Sequence, residues 1–74
     1  MSAPTTYLMR AADQTLVAES LAELAELTEL ALEHDDDPHA FRARDADRDQ
    51  LRPLSPDEFE TLLVLTARRL SKES

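Results

Sequence analysis

Residues 16 to 33 read Leu-Val-Ala-Glu-Ser-Leu-Ala-Glu-Leu-Ala-Glu-Leu-Thr-Glu-Leu-Ala-Leu-Glu. At about 100° per residue, the apolar side chains of this stretch fall on one side of a helical cylinder and the glutamates on the other. The apolar side comprises Leu16, Val17, Leu24, Leu27 and Ala31, with Leu21 and Leu30 at its margins. The pattern predicts a strongly amphipathic helix, and we take this helix as the basis of the fold prediction.

The predicted first helix extends from about residue 6 to residue 34. Thr5 or Thr6 is a candidate N-cap for a start at Tyr7, and Asp13 is a candidate for a later start. An acidic loop, residues 34–39, ends the helix. Pro38 forces the residue before it out of the α region, and three consecutive aspartates oppose the dipole at a helix C-terminus.

Residues 40–52 mix charges of both signs around Phe41 and Leu51. Opposite charges recur three residues apart, as in Arg42 with Asp45, which is typical of a short exposed helix or a charged linker. The four arginines of this segment are the densest positive group in the chain. We expect no direct nucleic-acid binding from them, because the interleaved aspartates cancel most of their field.

The last helix is predicted over residues 56–71. Ser55 is a candidate N-cap, Pro56 occupies the first helical position, and Glu58 occupies the capping-box position. One face of this helix is formed by Phe59, Leu62, Leu63, Thr66 and Leu70, while Val64 and Leu65 lie off it. A helix with apolar residues around most of its circumference requires burial on more than one side.

The opening of this helix is similar to a helix start in response-regulator winged-helix domains, where Ser/Thr-Pro-x-Glu-Phe-x-x-Leu-Leu is common. The matching residues are 54–63, Leu-Ser-Pro-Asp-Glu-Phe-Glu-Thr-Leu-Leu. The resemblance covers about ten residues, and we interpret it as a shared way of starting an amphipathic helix, without assigning a family.

The composition favours an all-α fold. The chain contains thirteen leucines and eleven alanines but no isoleucine and no glycine. Leucine and alanine are strong helix formers, whereas tight hairpin turns usually need glycine at positive φ. We therefore predict one small domain, residues 1–74, that folds as an antiparallel helical hairpin with residues 40–52 as a possible short middle helix.

The small size of the chain predicts self-association. A chain of 74 residues buries only about 60% of the surface of its unfolded form, and it has no cysteine for disulfides. We expect a homodimer in which two hairpins form a four-helix bundle. The predicted apolar interface comprises Leu21, Leu24, Leu27, Leu30, Phe59, Leu62, Leu63, Val64, Leu65 and Leu70.

Several functions are excluded by the sequence. No nucleophile, metal-ligand or cofactor motif is present, so we expect no catalytic residues, no metal, no cofactor and no enzymatic activity. The histidines and aspartates of residues 34–39 are potential metal ligands, but their spacing matches no known metal motif. The formal net charge of −8 opposes binding to anionic membranes, and the N-terminus has no signal-peptide pattern. A cytoplasmic location is the default expectation.

The leading functional hypothesis is a helical protein–protein interaction module that serves as an adaptor, regulator or accessory subunit. The alternative is an acidic antagonist that occupies a basic cleft on a partner protein, as antitoxins, immunity proteins and DNA mimics do. Its docking face would be Glu19, Glu23, Glu26, Glu29, Glu33, Asp35, Asp36 and Asp37. A third hypothesis is that the acidity is an adaptation to high salt.

Overall fold

The computed structural model describes residues 4–72 and has an α+β fold. Its elements are β1 (Thr5–Ala11), β2 (Gln14–Ala18), α1 (Leu21–Glu33), β3 (His39–Asp45), β4 (Arg52–Pro53) and α2 (Pro56–Lys72). The four strands form one antiparallel sheet in the order β2-β1-β3-β4. The predictions of an all-α hairpin and of a four-helix bundle are therefore wrong.

Residues 5–18, predicted as the first half of a helix, form a β-hairpin. Its two turn residues, Ala12 and Asp13, have φ values of 51° and 64°. Two successive residues at positive φ are typical of the type I′ turn, whose twist matches that of the flanking strands. The absence of glycine failed to exclude this hairpin because alanine and aspartate can adopt the left-handed conformation at a cost of about 1 kcal/mol.

Helix α1 begins later than the sequence suggested, because Ser20 is its N-cap. The Glu23 N–H donates to the Ser20 hydroxyl oxygen at 3.1 Å, and the Glu19 N–H donates to the Glu23 carboxylate at 3.3 Å. The first of these bonds satisfies an N–H group that the first helical turn leaves without a helical partner. The helix therefore starts where a good cap is followed by the periodic leucine pattern.

The C-terminus of α1 is a Schellman motif with Asp35 in the position that glycine usually occupies. Asp35 has φ 60°, its N–H donates to the Leu32 carbonyl at 3.1 Å, and the Asp36 N–H donates to the Ala31 carbonyl at 2.9 Å. The predicted stop near residue 34 is thus confirmed. The geometry of the stop depends on Asp35 and not on Pro38 alone.

Residues 40–52, predicted as a short helix or linker, contain most of β3, an exposed loop at 46–51 and the first residue of β4. The pairing of β3 with β1 shifts between Leu8 and Arg10, beside Ala40, whose φ is 55°. Such a bulge inserts one residue into a strand and bends it. The alternation of charge that suggested a helix is here the alternation of two strand faces.

The N-terminus of α2 matches its prediction. The Glu58 N–H donates to the Ser55 hydroxyl oxygen at 3.2 Å, and the Ser55 N–H donates to Glu58 Oε1 at 2.9 Å. This reciprocal pair is the capping box expected from the sequence.

The core lies between the helices and one face of the sheet. Within residues 4–72, only three large apolar side chains are almost fully buried there, namely Met9, Leu24 and Leu62. The other buried apolar residues of the same range are all alanines, at positions 11, 18, 25, 31 and 43. Alanine allows the elements to approach closely but contributes little apolar area. The core of a single copy is therefore thin.

Candidate protein-interaction surfaces

A large share of the bulky apolar side chains lies on the surface. Within residues 4–72, eight large hydrophobic residues are exposed, against the three that are almost fully buried. They are Val17, Leu30, Leu32, Leu51, Phe59, Leu63, Val64 and Leu70. Single exposed apolar residues are ordinary, but contiguous ones mark interaction sites.

Three of these residues share one side of α2, and we call them the α2 stripe: Phe59, Leu63 and Leu70. At about 100° per residue, their directions lie within about 40° of one another around the helix. Their exposed fractions are 43%, 54% and 41%. The Phe59 ring also meets Phe41 of β3 edge to face, with ring centroids 6.4 Å apart. The α2 stripe therefore starts beside the sheet and runs along the helix.

The N-terminal end of α2 is held by an ionic network centred on Arg52. The Arg52 guanidinium donates from Nη1 to Glu58 Oε1 at 2.7 Å, and from Nε and Nη2 to the two oxygens of Asp45 at 3.0 and 3.2 Å. Tyr7 donates its hydroxyl hydrogen to Glu58 Oε2 at 3.2 Å, and Thr5 donates to Asp45 Oδ1 at 2.9 Å. Strands β1, β3 and β4 are thereby connected to the first turn of α2.

This network favours the ionised forms of its two carboxyl groups and the neutral form of Tyr7. Hydrogen bonding to Arg52 lowers the pKa of Glu58 from the ordinary 4.5 to about 2. Hydrogen bonds from Arg52 and then Thr5 lower the pKa of Asp45. Burial, and then the nearby charge of Glu58, raise the pKa of Tyr7. Because each member has a partner that suits its charge, we interpret the network as structural.

The other half of α2 is joined to α1 by one ion pair. Arg69 Nε donates to Glu29 Oε1 at 3.1 Å, and the Glu29 side chain is only 7% exposed. Beside this pair, an open groove of about 440 Å³ lies between the helices and is lined in part by Ala22, Leu65 and Lys72. The rest of its lining comprises Ala25, Arg68 and the Glu29–Arg69 pair, so three bases border the groove.

The predicted apolar interface is divided by the structure between core and surface. Leu24 and Leu62 are buried in one cluster, and Leu21, Leu27 and Leu65 pack against it. Leu30, Val64 and the α2 stripe remain exposed. Among the predicted interface residues, these exposed side chains are the ones free to contact a partner.

The predicted acidic face is also divided. Glu29 points into the interface between the helices, where it pairs with Arg69. Asp36 is half-buried, and the remaining members of the face are exposed. These are Glu19, Glu23, Glu26, Glu33, Asp35 and Asp37. The structure thus retains an acidic surface along α1 and the loop after it, without Glu29.

Sequence reasoning missed a basic surface on the sheet. The face of the sheet turned away from the helices carries Leu8, Arg10, Val17, Arg42 and Arg44, which we call the open sheet face. The strand register places Arg42 opposite Leu8, and Leu8 opposite Val17. The signal in the sequence is the period-2 spacing of Arg42 and Arg44, whereas the prediction of a short helix or linker rested on opposite charges three residues apart, such as Arg42 with Asp45.

Protein-family models, curated proteins and solved structures yield no match to this chain. Among the helices of residues 4–72, none is long and apolar enough to cross a membrane. Over the same residues, the histidine, aspartate and glutamate side chains form no group of three or more suited to a metal ion. The interpretation of function therefore depends on the surfaces described above.

Proposed function

We propose that this chain is a non-enzymatic protein–protein interaction module that self-associates through the α2 stripe. The observation that carries the proposal is the imbalance between eight exposed and three almost fully buried large apolar side chains within residues 4–72. Burial of apolar area stabilises a fold by about 25 cal/mol per Å². A second copy on the α2 stripe would add the apolar contact that the alanine-rich core lacks.

Antiparallel pairing of two α2 helices suits the charges of that helix. Its first turn contains Asp57 and Glu58, and its last turn contains Arg69 and Lys72. Glu58 and Arg69 each have an ion-pair partner within the chain, whereas Asp57 and Lys72 form no ion pair within residues 4–72. In an antiparallel pair, each acidic end lies near the basic end of the other copy. The two helix dipoles are then antiparallel, which is also favourable. The same surface then contacts itself across a twofold axis, which is the commonest form of oligomer.

Sedimentation equilibrium over a wide range of protein concentrations tests self-association. The mass should rise from the 8.3 kDa of one chain toward twice that value as the concentration increases. Thermal stability should rise over the same range, because association stabilises the folded state by mass action. A fully folded chain that remains at 8.3 kDa at every concentration would contradict the proposal.

The acidic-antagonist function remains a second proposal, favoured by the exposed acidic residues of α1. Glu23, Glu26 and Glu33 are exposed, and none of them forms an ion pair with a base of residues 4–72. Such a surface would attract a basic cleft rapidly and in a salt-dependent manner. An arginine-rich peptide is a suitable probe. It should bind the native chain and bind an E26Q/E33Q variant several-fold more weakly, whereas equal binding would contradict this function.

A further inference from the structure

The open sheet face contains a row of four side-chain positions that crosses every strand. The register aligns Val17 of β2, Leu8 of β1, Arg42 of β3 and Pro53 of β4. Val17 is 56% exposed, and Leu8 is half-buried. The centre of the face is therefore partly apolar, with one arginine in the same row.

Two further arginines flank this row. Arg10 lies two residues beyond Leu8 on β1, and Arg44 lies two residues beyond Arg42 on β3. Side chains two residues apart on one strand face are about 7 Å apart. All three arginines are exposed, and none forms an ion pair with a carboxylate of residues 4–72. Within residues 4–72, their side chains make one polar contact, in which Arg42 Nη1 donates to the neighbouring Phe41 carbonyl at 2.8 Å.

This arrangement contrasts with the charge of the whole chain. Acidic residues outnumber basic residues by sixteen to eight, yet the strand alternation gathers three arginines on one face and directs Asp45 into the Arg52 network. Arginine binds carboxylates through a planar, two-pronged set of donors. A face that is unpaired and positive on an acidic molecule suits an acidic ligand.

The ligand class follows from the size and polarity of the face. A nucleic-acid duplex carries about one negative charge per 1.7 Å, and its charge would extend past the sheet toward the acidic helices. No aromatic residue lies among the side chains that define the open sheet face, so bases have no stacking platform there. A short protein segment can instead place carboxylates on the arginines and an apolar side chain on Leu8 and Val17.

We propose that the open sheet face binds an acidic segment of a partner protein, with Arg10, Arg42 and Arg44 contacting its carboxylates and Leu8 and Val17 contacting an apolar side chain between them. The α2 stripe remains available for self-association, because it lies on the opposite layer of the molecule. The chain would then connect two copies of the same acidic partner segment.

The test uses a fluorescently labelled peptide rich in glutamate and leucine, titrated with the full-length chain at low and at physiological salt. The native chain should bind it, with weaker binding at the higher salt. An R42Q/R44Q variant should bind about tenfold more weakly. The matched control is R48Q/R68Q, which removes the same charge from two exposed arginines outside the open sheet face and should retain native affinity.

Three outcomes would overturn the proposal. One is unchanged peptide affinity in R42Q/R44Q, provided that circular dichroism shows native folding. Another is an equal loss in R42Q/R44Q and R48Q/R68Q, since net charge alone would then explain binding. The third is tighter binding of a DNA duplex than of the peptide, which would assign the face to nucleic acid.

Sedimentation equilibrium of R42Q/R44Q separates this proposal from self-association, since the dimerisation of this variant should equal that of the native chain. A loss of dimerisation would assign the face to a second copy and overturn the proposal.

Discussion

Arg69 of α2 donates a hydrogen bond from Nε to Oε1 of Glu29 on α1, and the carboxylate it contacts is almost completely buried. The two residues are forty positions apart in the chain. Glu29 was predicted as part of a solvent-exposed acidic face, but α2 covers it. This pair connects the two helices, whose buried residues also include Leu24, Thr28 and Leu62.

Substitution of Arg69 should lower the free energy of unfolding more than substitution of Glu29. Arg69→Gln leaves a buried carboxylate without its cation and should lower the free energy of unfolding by about 1–3 kcal/mol. Glu29→Gln leaves a neutral amide that still accepts a hydrogen bond and should cost less than about 1 kcal/mol. Urea unfolding at one fixed protein concentration measures both. Arg68→Gln, on the exposed neighbouring residue, should change stability by less than about 0.5 kcal/mol. Equal losses for the two members would contradict this account.

The Arg52 network predicts an acid-sensitive contribution to stability. Because the pKa of Glu58 is about 2 in the folded chain and ordinarily 4.5, its carboxylate stabilises the fold fully above pH 4.5. This contribution is lost as the pH falls toward 2. The free energy of unfolding of the native protein should therefore be about 1 kcal/mol higher than that of Glu58→Gln at neutral pH, after allowance for solvent screening.

The same measurement has an internal control. The stability difference between the native chain and Glu58→Gln should decrease as the pH is lowered from 4.5 to about 2. Glu60→Gln removes the same charge from the same helix without a contact to Arg52, and it should differ little from the native chain at neutral pH. A difference for Glu58→Gln that stays constant down to pH 2 would show that its carboxylate has no special partner.

The positive φ of Ala40 predicts a stabilising substitution. Ala40→Gly removes the steric cost of the left-handed conformation. This stabilisation should slightly exceed the destabilisation that results from the greater conformational entropy of glycine in the unfolded chain. We expect a net gain of about 0.5 kcal/mol in thermal or urea unfolding. The control is Ala22→Gly, on an exposed residue of α1, which should lose about 1 kcal/mol. A loss of similar size at both positions would argue against the bulge at Ala40.

The sequence predicted the helical residues better than the strands, for identifiable reasons. The capping box at Ser55 and Glu58 and the stop after His34 are local hydrogen-bonding patterns, and both were recognised. The β1–β2 hairpin was missed because its turn residues, Ala12 and Asp13, carry no glycine or asparagine signal. The hydrophobic pattern of Leu16 and Val17 also continued that of the following helix, which concealed the boundary at Ser20.

The site residues were predicted in the same uneven way. Leu63 and Leu70 were predicted in the apolar interface, but nothing in the sequence separated them from Leu62, which the structure buries in the core. The open sheet face was not found, since Arg10 is distant in sequence from Arg42 and joins it only through strand pairing. The side chains of residues 40–45 alternate between the two faces of the sheet. Over so short a segment, the same sequence fits both helical charge spacing and strand alternation.

The central claim is that two copies associate through the α2 stripe, and a matched pair of double variants tests it most directly. L63Q/L70Q replaces leucines that are 54% and 41% exposed, and L30Q/L51Q replaces leucines that are 44% and 55% exposed elsewhere on the surface. Sedimentation equilibrium of both variants should show that L63Q/L70Q requires at least about tenfold higher concentration to dimerise, while L30Q/L51Q dimerises like the native chain. Native dimerisation of a folded L63Q/L70Q, or an equal loss in both variants, would contradict the account.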